Sequence, residues 1–153
     1  MSTIAIIPIP GVPQIQPGDD MPTLLLEAID AAKVGLKDGD ILVMCQKIVS
    51  KAEGAVLDLK TVTPSPFAEQ IAEMWEKDPR MVEVVLTESS RIVRMKNGVI
   101  VTETKHGWVC ANSGVDASNT IAEDVVILLP KDPDASARHI RIAIQERRNI
   151  AIG

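Results

Sequence analysis

Aromatic side chains are nearly absent from this sequence: Phe67, Trp75 and Trp108 are the whole set, with no tyrosine in 153 residues. That excludes the stacked aromatic platforms on which proteins hold single-stranded nucleic acid. It also requires an aliphatic core, which the 46% apolar fraction can supply. Cysteine is equally scarce. Cys45 and Cys110 make no disulfide scaffold and have no metal-type spacing; beside Val43-Met44 and Trp108-Val109 they read as small buried hydrophobes. Positive charge is in deficit, 16 Lys and Arg against 21 Asp and Glu, for a net charge of −5. This disfavours a surface for polyanions, while a metal ion can still bring a single nucleotide to an acidic protein. No apolar run approaches the roughly 20 residues that span a bilayer. A cationic n-region followed by a long apolar stretch is lacking at the N-terminus. The expectation is a soluble, cytoplasmic protein with neither nucleic acid nor membrane as partner. Nor is there a GxxxxGK[ST] or GxGxxG pattern, so any phosphate site must be built in another way.

What is present reads as one domain, residues 1–153, without repeats or low-complexity segments. Ile4 to Ile9 is a short apolar run stopped by Pro8, Pro10, Gly11 and Pro13, which predicts a buried strand entering a rigid loop. Asp19-Asp20 before Met21-Pro22 opens a helix with Leu24, Ala28, Ala31 and Ala32 on its apolar face. Ile41 to Val49 reads as a strand. Ser65-Pro66 and Asp78-Pro79 open two more helices, the second with a stripe of Met81, Val82, Val85 and Leu86. Asn97-Gly98 between Arg91–Met95 and Val99–Thr104 is a hairpin signal. Val125 to Leu129 predicts another buried strand, Asp134 a helix cap, and Asn149 to Gly153 the start of a further strand. The fold class is α+β: a mixed sheet with helices and an Asn-Gly hairpin.

Three segments can carry chemistry. Pro8 to Pro13 follows an apolar run, and Gly11 would let a ligand approach the backbone; an ordinary turn explains it as well. Cys45 to Gly54 brings Gln46, Lys47, Ser50 and Lys51 to a strand end, where ammonium groups can neutralise phosphates and where solvated lysines are also common. His106 to Asn119 runs from a buried-looking stretch into Asn112, Ser113, Asp116, Ser118 and Asn119. Asp116 is a hard oxygen ligand suited to Mg²⁺ or Mn²⁺, or equally the cap of a short helix. His106 and the Arg138, Arg141, Arg147, Arg148 run read as structural or solvated.

Taken together, these segments resemble the coenzyme F-420-0:L-glutamate ligase family. The resemblance runs through Pro8-Ile9-Pro10-Gly11-Val12-Pro13, Pro17-Gly18-Asp19-Asp20, Asp38-Gly39-Asp40 and Ile48-Val49-Ser50-Lys51-Ala52-Glu53-Gly54. It continues through His106 to Asn119, Leu128-Leu129-Pro130, Asp132-Pro133-Asp134 and Ser136-Ala137-Arg138, which is nearly the whole chain. The SKAEG and NSGVDASN blocks are its specific parts; the Pro-Gly loop alone is weak.

The resemblance implies the N-terminal portion of the F-420 glutamyl ligase fold and a GTP-dependent γ-glutamyl ligase of coenzyme F-420 biosynthesis. GTP would activate the terminal carboxylate of coenzyme F-420-0 as an acyl phosphate, and the amine of L-glutamate would then attack it, with Mg²⁺ or Mn²⁺ required. It further implies that Pro10, Gly11, Val12, Pro13, Gln46, Lys47, Lys51 and Asn119 contact GTP, that Asp116 binds metal, and that the protein is a homodimer. Gln46 and Lys47 stand where the family often has small hydroxyl residues. Family members continue into an Asp-Thr segment with further metal ligands. The resemblance therefore leads us to expect a chain that is incomplete alone, lacking the C-terminal metal-binding part, whether as an excised domain, a shortened chain or one half of a split enzyme. The competing expectation is a non-catalytic nucleotide-binding, structural or dimerisation module of the same ancestry.

Overall fold

In a computed structural model of the chain, residues 4–117 and 124–153 are described. They divide into two compact units, one of residues 1–54 with 130–153 and the other of residues 55–129. The class is mixed α and β, as expected, and every strand pairing among the described residues is antiparallel.

The first unit holds α1 (Met21–Ala31), α2 (Gln46–Ala52) and α5 (Pro133–Arg148). Its core joins Ile15, Leu25, Leu26 and Val49 to Ile140, Ile144 and Ile152, with Val12, Ile48 and Ala52 packed against it. Helix α1 starts where predicted, but Leu25, Leu26 and Ile29 face inward while Ala31 is exposed. Two arginines tie α5 to α1: Arg147 donates to Thr23 and Asp20 at 2.7 and 3.2 Å, and Arg148 pairs with Asp30. The basic run is thus partly a set of interhelix ties rather than only a solvated face. Asp132, not Asp134, caps α5, accepting from the Ala135 amide at 2.9 Å. Pro133 takes the first helical position, where its missing N–H is harmless, so the cap falls one residue before it.

Two predicted strands in this unit are not strands. Ile4 to Ile9 has no ladder partner among the described residues, and Ile4 and Ile6 are more than nine-tenths exposed. Apolar composition marks a segment for burial but does not supply the neighbour that buries it. Ile41 to Cys45 forms no regular strand, with Ile41 and Val43 exposed and Leu42 and Met44 half-buried, and then Gln46 begins α2. The local period explains the change: Ile48, Val49 and Ala52 lie on one helical face toward the core. Cys45, expected to be buried, is the exposed N-cap residue of α2. The expected C-terminal strand does pair in part. Gly39 N–H donates to Ala151 O at 2.7 Å, Leu42 N–H to Gly153 O at 3.0 Å, and Gly153 N–H to Asp40 O at 2.9 Å.

The second unit contains β1 (Val56–Asp58), α3 (Pro66–Trp75), α4 (Pro79–Thr87), β2 (Ser89–Lys96), β3 (Val99–Thr104), β4 (Val109–Ala111) and β5 (Val125–Ile127). β1 pairs with β5, and β2, β3 and β4 form a three-stranded sheet in that order. The hairpin forms as predicted: Lys96 faces Val99, and Asn97 and Gly98 both take positive φ, 51° and 77°, as a tight primed turn requires. Strand β3 alternates, burying Ile100, Thr102 and Thr104, against a core of Ala68, Ile71, Val82, Val85 and Val126. Val84 is buried on α4, where the expected stripe had Met81 and Leu86, both half-buried.

Capping chemistry sets both helices of this unit. The Ser65 hydroxyl accepts from the Ala68 amide at 3.3 Å, and Asp78 accepts from the Arg80 amide at 2.8 Å. Glu83 of α4 in turn accepts from the Ser65 hydroxyl at 2.6 Å and its amide at 2.8 Å. These two bonds, the hydroxyl's first, hold the Glu83 carboxyl below its ordinary range. Arg80 bridges Asp78 and Asp124, at 2.6 and 2.8 Å.

Two stability measurements follow. A carboxylate whose folded pKa is depressed contributes stability above its unfolded pKa of about 4.3 and loses it as pH falls through the lower folded value. Urea denaturation should therefore show Glu83→Gln less stable than the unaltered chain near pH 6, with the gap closing toward about pH 3; a gap independent of pH would deny the ionised carboxylate this role. At Gly114, φ is +70° and an added Cβ would lie 2.9 Å from Leu129 Cδ2. Gly114→Ala should lower stability by at least about 1 kcal/mol, and an unchanged denaturation midpoint would contradict the strain.

Candidate functional site

The candidate residues fall into two groups by unit. Pro10, Gly11, Val12, Pro13, Gln46, Lys47 and Lys51 lie in the first unit and Asp116 in the second. Asn119 and Ser118 lie outside the described residues.

In the first unit, the Pro10–Pro13 loop is held by Val12, which packs on the same core as Ile48, Val49 and Ala52 of α2. Pro10, Gly11 and Pro13 are exposed. Gly11 has φ +85° and open space where a Cβ would project; the backbone conformation alone accounts for glycine there, and the open space leaves its amide approachable. A second backbone link closes this region, from Gly18 N–H to Ala52 O at 2.8 Å. Because α2 is a helix, its polar residues stack one turn apart. Gln46 Nε2 donates to Ser50 Oγ at 2.7 Å, and Lys47 and Lys51 form the neighbouring pair, both half-buried. The sequence pattern placed these residues at a strand end, and the structure places them on a helix. A strand would have split Lys47 from Gln46 across two faces, whereas the helix gathers two ammonium groups at adjacent turns. Lys51 also has a structural reason for its place, since it lies in the last turn of α2, where a cation offsets carbonyls left without helical partners.

In the second unit, Asp116 is half-buried and lies beside β5. Its amide donates to Ile127 O at 2.9 Å, and Ile127 N–H donates back to Asp116 O at 2.8 Å. Its backbone is thus bridged to β5; the short helix that the sequence left as its alternative would fall outside the described residues. Among the described residues no three His, Cys, Asp or Glu side chains converge as a metal site. One carboxylate with hard oxygen donors still fits the habit of Mg²⁺, which takes one or two carboxylates and completes its shell with water and substrate phosphates.

Immediately before Asp116 the chain does something sequence reasoning missed. Asn112, Ser113 and Gly114 all have positive φ, 52°, 53° and 70°. Ser113 is 1% exposed and Thr102 wholly buried. Ser113 Oγ donates to Val85 O at 2.9 Å, and Ser113 N–H donates to Thr102 Oγ1 at 3.0 Å. The two hydroxyls are 2.7 Å apart; since the serine proton is engaged by Val85, threonine is the donor between them. The only local signal was the Asn-Ser-Gly triplet, whose first and last members tolerate the left-handed region. The stretch before it is less buried than it looked: Trp108 and Val109 are exposed, and His106 stacks on the Trp108 ring with centroids 5.0 Å apart.

Among the described residues no helix is long and apolar enough to cross a membrane. Comparison with known proteins gives a consistent picture. The family model described as F420-0:Gamma-glutamyl ligase matches residues 11–153. A protein of Methanopyrus kandleri named coenzyme F420:L-glutamate ligase is 44% identical over 153 residues, covering 100% of this chain and 58% of the relative. The identically named proteins of Methanothermobacter thermautotrophicus and Archaeoglobus fulgidus are 46% and 36% identical, covering 94% and 98% of this chain and 56% and 57% of the relatives. The chain thus spans somewhat more than half the length of these relatives, and it belongs to the F420-0:gamma-glutamyl ligase family.

Proposed function

We propose that this chain carries part of a GTP-dependent coenzyme F-420-0:L-glutamate ligase, an acid–amino-acid ligase of coenzyme F-420 biosynthesis. The observation that carries the reading is the family match across residues 11–153, with relatives named for ligation of glutamate to the coenzyme. The site geometry supports it in two places. Lys47 and Lys51 on adjacent turns of α2 offer paired positive charge near the core that also anchors the Pro10–Pro13 loop. Asp116 is a hard-oxygen donor on a backbone pinned from both directions.

The reaction this implies has two steps. A carboxylate oxygen of the coenzyme precursor attacks the γ-phosphorus of GTP; the bond to the bridging oxygen breaks, and GDP leaves with an acyl phosphate formed. The glutamate amine then attacks the acyl carbon, losing a proton, and phosphate departs with the amide made. Phosphoryl transfer asks the protein chiefly for positioning and charge neutralisation. In this reading Lys47 and Lys51 act as point charges on phosphate oxygens, Gln46 and the open Gly11 backbone help seat the nucleotide, and Asn119, outside the described residues, is a further nucleotide contact that the family likeness implies. Asp116 would hold Mg²⁺ or Mn²⁺, which when bound offsets charge on the phosphates. A homodimer is part of the same proposal.

A second reading, a nucleotide-binding or structural module without turnover, is favoured by the place of Lys51 in the last turn of α2, which serves the helix itself. Calorimetric titration with GTP, with and without Mn²⁺, separates a nucleotide-binding chain from a structural one, and release of GDP on adding coenzyme F-420-0 and glutamate separates a ligase from a module that only binds. The ligase reading expects metal-dependent binding that Asp116→Ala abolishes and that Lys51→Ala weakens on the order of tenfold to a hundredfold, the worth of a hydrogen bond to a charged group. If Lys51→Ala lowers only the denaturation midpoint and leaves GTP affinity intact, the lysine belongs to the scaffold. A chain that binds no GTP under any condition would sink the proposal of a nucleotide site within these residues.

A further inference from the structure

We infer that Thr102 and Ser113 are positioning residues for the Asp116 carboxylate, acting through a strained turn that their buried hydroxyls hold in place. The inference rests on the reading of Asp116 as a metal ligand, and it adds the residues on which that ligand depends.

Left-handed backbone is expensive away from glycine. Asn tolerates it, but a buried Ser113 at φ 53° and ψ 22° persists only where its surroundings over-determine it. The surroundings do. The Ser113 amide has its acceptor on Thr102, the Ser113 hydroxyl has its acceptor on Val85, and the Thr102 hydroxyl donates into the pair. Together these bonds oppose the strain of the turn. Gly114 completes it: its positive φ turns the chain back, and Leu129 fills the space where a side chain would stand. Val115 N–H closes the turn on Asn112 O at 2.9 Å, Val115 is itself buried, and the next residue is Asp116, fixed to Ile127.

Reciprocal bonds to Ile127 hold the Asp116 amide and carbonyl, and the turn sets how the chain enters that pairing and so keeps Asp116 in it. Residues that orient a metal ligand without touching the metal typically change metal affinity by about 10–100-fold when removed. Thr102 lies on β3, whose register is fixed independently by pairing with β2 and β4, so its hydroxyl is a stable reference point for the loop.

Thr102 offers a clean test, because valine matches its shape without the hydroxyl and serine keeps the hydroxyl without the methyl. Mn²⁺-dependent GTP binding would be measured by calorimetry on the unaltered chain, Asp116→Ala, Thr102→Val and Thr102→Ser, below the lowest melting temperature of the set. The expected result is loss of binding in Asp116→Ala, a weakening of about 10–100-fold in Thr102→Val, and near-normal affinity in Thr102→Ser even though that variant also loses some stability. Hydrogen exchange of the Asp116 amide gives a ligand-free reading, faster in Thr102→Val and unchanged in Thr102→Ser. Loss of binding in Asp116→Ala together with full affinity in folded Thr102→Val would overturn the positioning role and leave Asp116 as a ligand. Unchanged binding in Asp116→Ala, or no binding by the unaltered chain, would instead overturn the ligand reading and the inference with it.

Discussion

A hydroxyl pair buried in an aliphatic core is the constraint around which the second unit is organised. Thr102 and Ser113, with Thr104, are the buried polar residues among the described residues of a unit whose core is made of Ile100, Val85, Val126 and Val115. Burying an unpaired amide or hydroxyl there would cost about 1–3 kcal/mol for each group, so the two must find each other and the Val85 carbonyl. That requirement couples a helix, a strand and a loop that share no regular hydrogen-bond ladder. It fixes where α4 ends relative to β3, and it selects a turn that the chain would otherwise avoid. Directional bonds do here what an apolar core of interchangeable isoleucines and valines cannot, which is to distinguish one packing from its near neighbours.

The first unit is held differently. Its ties are charged and lie at the surface: Arg147 to Asp20, and Arg148 to Asp30, between α5 and α1. Exposed pairs of this kind are worth little each, about 0–1 kcal/mol, and weaken in salt. Burial of Leu25, Leu26, Ile140 and Ile144 stabilises the unit more, since a fully buried aliphatic side chain is worth roughly 1.5–3 kcal/mol. The Lys37–Asp40 turn adds a polar clasp, with the Asp38 carboxylate accepting from the Ala151 amide at 2.8 Å beside the backbone bonds to the C-terminal residues. Salt should therefore touch the interhelix ties of this unit far more than its packing.

Much of this was legible in the sequence where the determinant is local. Ser65-Pro66 and Asp78-Pro79 announce helix starts because a cap and a proline act within one turn, and at α1 Pro22 marks the start although Asp20 makes no side-chain cap bond. Asn97-Gly98 announces a hairpin because only particular residues adopt two successive positive φ angles easily. Where the determinant is a distant neighbour, local reading failed. Cys45 to Ala52 contains β-branched residues, and only the placement of Ile48, Val49 and Ala52 against α5 and α1 makes it helical after Cys45. Asp134 looked like a cap until Pro133 claimed the first helical position. The candidate site shows the same division: its residue types were recognisable in the Lys47–Lys51 and Asp116 segments, but neither the helix that pairs the lysines nor the hydroxyls that steer the aspartate has a nearby sequence signature.

The apolar segments left uncovered in the first unit have a consequence for how copies of the chain behave toward one another. Ile4, Ile6, Ile41 and Val43 stand largely exposed outside any regular strand, and natural proteins blunt apolar segments of this kind with charge, proline or a covering element because they favour contact between molecules. Prolines at 8, 10 and 13 interrupt the first segment on one side only. The second is bounded by Asp38 and Asp40, which place negative charge at one end of the exposed run. Colloidal stability then leans on the mutual repulsion of molecules carrying a net charge of −5, a weak and salt-screened barrier that acidification or added electrolyte lowers further.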